Sequence, residues 1–104
     1  NDPQFVEAAR HLAQRALQEG RGNFDRQLDY ITLHLLSRTF QPAERVIAMR
    51  AFQDFLNYYA SHPEDARKLL SVGESKPEEG AEADSAALTM VANQIMNLDE
   101  ALNK

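Results

Sequence analysis

The sequence predicts an all-α fold, a small bundle of four to five helices with short turns and one acidic loop. Three observations predict it. Apolar residues recur at three- and four-residue spacing, and no stretch alternates apolar with polar as a half-buried strand would. Glycine and proline, which end helices, fall between these stripes. A chain of 104 residues forms one domain able to bury a core, and with no cysteine that core is not a disulfide scaffold.

The first helix is expected over residues 3–19. Asn1 or Asp2 can cap it, and Pro3 suits a first helical position, where a missing N–H costs nothing. Phe5, Ala9, Leu12, Ala13, Ala16 and Leu17 share a face, and Gly20 stands where a left-handed C-terminal cap is expected. The short turn at Gly20, Arg21 and Gly22 sets the second helix antiparallel to the first. That helix, over 24–38 and capped by Asn23, carries a stripe of Phe24, Leu28, Ile31 and Leu35, with Tyr30 and Leu36 beside it. Pro42 pushes Gln41 out of the helical region and marks the next boundary.

The third helix, over 42–61, is rich in aromatic residues. Val46, Met49, Phe52, Phe55, Leu56 and Tyr59 form a broad stripe, and four of the eight aromatic residues lie here, so it is expected at the centre of the core. His62 and Pro63 end it. A short fourth helix over 63–71 buries Ala66, Leu69 and Leu70, with Gly73 as its cap. Residues 74–83 form an acidic, mobile linker with Pro77 and Gly80. The fifth helix is expected over 85–101, capped by Asp84 or Ser85, with Leu88, Val91, Ala92, Ile95, Leu98 and Leu102 facing inward.

The net charge of −5 is unevenly placed. Residues 1–72 hold nine basic and nine acidic side chains, whereas 73–104 hold two against seven. The basic stripe of a nucleic-acid binder is missing, so no nucleic-acid partner is expected. No run of apolar residues is long enough for a membrane span, and no signal peptide is present. The chain opens on asparagine and reads as a segment excised from a larger protein.

Reaction chemistry is sparse. Gly20 to Asp25 has the look of a glycine-rich phosphate loop, but it follows a helix and its third glycine position is Asp25, so a capped turn between helices is the reading. Glu7 and His11 stand four apart as a surface pair, with His34 and His62 on other elements. Ser61, His62 and the acids Glu64 and Asp65 are better explained as one helix end followed by an acidic helix start than as a triad. The acidic 74–84 segment lacks the spacing of a calcium loop. No catalytic, cofactor or metal residue is therefore assigned. Tyr58 and Phe40, if exposed together, would mark a protein contact, although Phe40 is expected to plug the bundle.

Two polar motifs bracket the chain. It opens Asn1, Asp2, Pro3, Gln4, Phe5, Val6, Glu7, and nearly closes Val91, Ala92, Asn93, with Asn97, Leu98, Asp99, Glu100. Asparagine is a poor helix-interior residue, so Asn93 and Asn97 in one helix need a reason. One is a fold clasp in which Asn1, Asp2, Asn93, Asn97, Asp99 and Glu100 tie the ends together or meet a partner. The other is a hydrolytic or metal-assisted site, formed by Asp2, Asn93, Asn97, Asp99 and Glu100 and completed by the rest of a larger protein.

These motifs, with Leu36, Ser37, Arg38 before Pro42, Ala43, Glu44, and with Leu69 through Ser75, make nearly the whole chain resemble the planctomycete domain of unknown function termed PSD-one. That domain forms the C-terminal part of large exported proteins that often also carry a cytochrome-c-like region. The resemblance implies an extracytoplasmic location and a C-terminal place in the parent, and it brings no established reaction. Departures exist. The family tends to have Gly-Arg-Pro where this chain has Ser37, Arg38 and Thr39, a tryptophan near Leu88, and an aromatic residue at Ala101. The expected role is a non-catalytic structural or interaction module, docked on the remainder of its parent or on another protein. A free-standing adaptor for partner helices is the remaining possibility, and an exposed apolar groove would favour it.

Overall fold

The fold, seen in a computed structural model that describes residues 3–70 and 82–102 and the side chains of 4–70 and 82–99, is five α-helices with no strand among the described residues. They are α1 (Pro3–Glu19), α2 (Phe24–Leu36), α3 (Pro42–Ser61), α4 (Pro63–Leu70) and α5 (Glu82–Leu102). The expected cap at Gly73 and most of the acidic linker lie outside the described residues. Helix α5 starts three residues earlier than its sequence suggested, so Asp84 and Ser85 are inside the helix and do not cap it.

The centre of the bundle is α5, not α3. Five consecutive residues of α5, Ser85, Ala86, Ala87, Leu88 and Thr89, are buried, so that stretch has protein on every side. Its largest interfaces are with α1 and α3, followed by α4 and α2. Small side chains decide this. Ala86, Ala87 and Ala92 are fully buried and let neighbouring backbones come close. The aromatic side chains of α3 are too bulky for an axis that four helices surround. Phe52, Phe55 and Tyr59 instead form a half-buried wall, and Ala48 is the only buried residue of α3.

Leu12, Leu28, Ile31, Leu88, Val91 and Ile95 knit α1, α2 and α5 together. Burying each of these side chains contributes about 1.5–3 kcal/mol. Phe40 plugs the end of this core, as its place after α2 suggested. Phe24 of α2 stacks on Phe52 of α3 with ring centroids 4.6 Å apart. A smaller cluster of Ala66, Leu70 and Ala86 holds α4 against α5.

The turns differ in detail from their sequence reading. Asn23 caps α2 as expected, its Oδ1 accepting the Arg26 N–H at 3.1 Å. The left-handed residue of that turn is Gly22 (φ 68), not Gly20. Gly20 is glycine for another reason. A Cβ there would sit 2.8 Å from the Gln27 backbone nitrogen, so α1 and α2 could not approach as they do. The buried Gln27 amide closes the contact by donating to the Gly20 carbonyl at 3.0 Å. Helix α2 ends at Leu36, two residues early, because Ser37 turns left-handed (φ 60) and its N–H donates to the Leu33 carbonyl at 3.2 Å. Gln41 and Pro42 then start α3, with the Gln41 N–H donating to Glu44 at 2.8 Å.

Candidate functional site

The polar residues of α5 form one row at four-residue spacing: Ser85, Thr89, Asn93 and Asn97. The first three are buried and Asn97 is exposed. Thr89 satisfies its hydroxyl by donating to the Ser85 carbonyl at 2.7 Å. Asn93 is 2% exposed, and its Oδ1 has no hydrogen-bond partner among the described residues. Arg10 of α1 is wholly buried, with Nη2 3.3 Å from His11 Nε2. His11 in turn lies 3.7 Å from Glu7, and both are about half exposed, as a surface pair should be.

The bracketing residues that are described differ in exposure. Asn93 is buried, Asn97 points to solvent and Asp99 is half-buried. Neither described depression is lined by any of the three. Asn1, Asp2 and the side chain of Glu100 lie outside the described residues. Among the described residues no three His, Asp or Glu side chains come together as a metal site. No described helix is long and apolar enough to cross a membrane.

What the surface does carry is a groove. Between α3 and α5 runs an apolar cleft of about 280 Å³. Phe40, Ala48, Val91 and Ile95 form its base, and Ile47 and Leu98 stand at its edges. Ile47 is 71% exposed and Leu98 48%. Val46, 57% exposed, continues the apolar ridge toward a second, more open depression beside Arg45 and Arg50. Leu98 and Val46 were both expected in the core. Val46 and Ile47 are adjacent in a helix, about 100° apart, so no single face of α3 can bury both them and the aromatic stripe.

Two arginines fix the wall of this groove. Arg38 Nη1 and Nη2 donate to the two carboxylate oxygens of Glu44, each at 3.0 Å. That fork, together with the Gln41 N–H, holds the Glu44 carboxyl down to about 2. Arg45 donates through Nε to the Phe40 carbonyl at 3.1 Å and through its other nitrogens to Asp29 and Asp25 of α2. Its guanidinium is held above its ordinary range, first by Asp29. Arg45 thereby ties the start of α3 to α2.

Comparisons with protein-family models, curated proteins and solved structures found no match to this chain.

A second polar cluster lies at the corner between α3 and α4. His62 caps α3, donates from Nδ1 to the Tyr58 carbonyl at 2.8 Å, and stacks on the Tyr58 ring at 4.2 Å. Tyr58 donates its hydroxyl to Asp65, which holds the phenol above its ordinary range. Each group is used in joining the two helices, as expected for a helix end meeting an acidic helix start. Phe40 and Tyr58 do not form a joint exposed surface, because Phe40 is buried. Of the exposed apolar residues that edge the groove, Ile47 was not singled out by the sequence, and Leu98 was expected to face inward. The available signal was the surplus of large apolar residues on α3, more than one face can hold.

Proposed function

We propose that this chain is a non-catalytic helical interaction module, placed at the C-terminal end of a larger exported protein of the planctomycete type, and that the α3–α5 face is its contact surface. The observation that carries the reading is the groove: an apolar cleft edged by the exposed Ile47 and Leu98. Apolar side chains this exposed and this close together are what a protein contact surface presents to solvent. Ser37 supports the family reading. It has φ 60, a conformation that favours glycine, at the position where the resembling family tends to place glycine. The partner is the remainder of the parent protein or another protein, and the location is extracytoplasmic by resemblance.

The test is to melt the parent protein with and without this module, and again with Ile47→Asp in place. Loss of the module, and the single substitution, should each lower the parent's melting temperature. Unchanged melting in both cases refutes the reading.

A further inference from the structure

We draw no further inference here: the strongest candidate, the apolar cleft between α3 and α5 edged by the exposed Ile47 and Leu98, belongs to the contact face already proposed, and nothing in the structure shows what covers it.

Discussion

Replacing Gly20 with alanine tests how α1 and α2 come together. A Cβ at this position would lie 2.8 Å from the Gln27 nitrogen and 3.0 Å from the Arg26 carbonyl carbon. Both are backbone atoms, so no flexible tip can swing aside. Ordinary contact begins near 3.4 Å, and the difference, 3.4 − 2.8 = 0.6 Å, must open between the helices. Overpacking of this kind costs about 1–3 kcal/mol. The same shift pulls the buried Gln27 amide from the Gly20 carbonyl, costing about 1 kcal/mol more. Against this, alanine at a helix end gains roughly 0.4–1 kcal/mol over glycine through the unfolded chain. The balance is a loss of about 1–3 kcal/mol, which for a domain of this size lowers the melting temperature by roughly 5–15 °C. Circular dichroism melts measure it. Gly22 is the control, because nothing lies within 4 Å of its Cβ position and only its φ of 68 opposes a side chain. Gly22→Ala should lose about 1 kcal/mol, and Gly22→Asn less, since asparagine tolerates that conformation. At Gly20 asparagine should be worse than alanine. An alanine at Gly20 that leaves the melt unchanged or raises it would refute the crowding argument.

Other outcomes are expected from the same geometry. Ser37→Gly should raise stability by about 0.5–1 kcal/mol in a denaturant titration, because it relieves the left-handed backbone at φ 60; a loss would mean the serine side chain matters more than the strain. Asn93→Leu should be neutral or stabilising by about 1 kcal/mol, since it removes a buried oxygen with no partner among the described residues; a loss above about 1 kcal/mol would instead show a bond from elsewhere, as the clasp requires. The Glu44 carboxyl lies lower in the folded chain, at about 2, than the roughly 4.3 expected when unfolded. Its stabilisation is therefore present above the unfolded value and is lost as pH falls through the folded one. Calorimetry of Glu44→Gln against the native chain should show a melting difference above pH 5 that shrinks on acidification and disappears near pH 2, and a difference independent of pH would contradict the assignment.

The helices were legible because the chain marks its own breaks. Proline at 42 and 63 and the turn after Glu19 placed four boundaries to within two residues. The Asn23 cap, the Phe40 plug and the Glu7–His11 pair followed from local rules that tertiary packing left alone. Packing decided the rest. Aromatic content named α3 as the centre, but the axis of a five-helix bundle goes to the smallest side chains, and those are in α5. Which glycine of the Gly20–Gly22 turn turns left-handed depends on how near α2 comes, and sequence does not hold that distance. Arg10 was passed over because charge argues for the surface, yet it is fully buried. The groove was hidden for the same kind of reason: Leu98 has helical spacing with the core residues of α5, yet it is exposed at the edge of the cleft between α3 and α5. The bracketing motifs remained half legible, since Asn93 is placed while Asn1 and Asp2 lie outside the described residues.

The central position of α5 also constrains how the chain can fold. It is the last of the five helices in sequence, and its largest interface is with the first. Helices α1 to α4 emerge from a ribosome with their apolar faces complete and no axis on which to close. At synthesis speeds of about 5–20 residues per second, seconds pass before α5 arrives. Until then α1 to α4 lack the helix on which each of them packs, and the bundle closes only once α5 joins them.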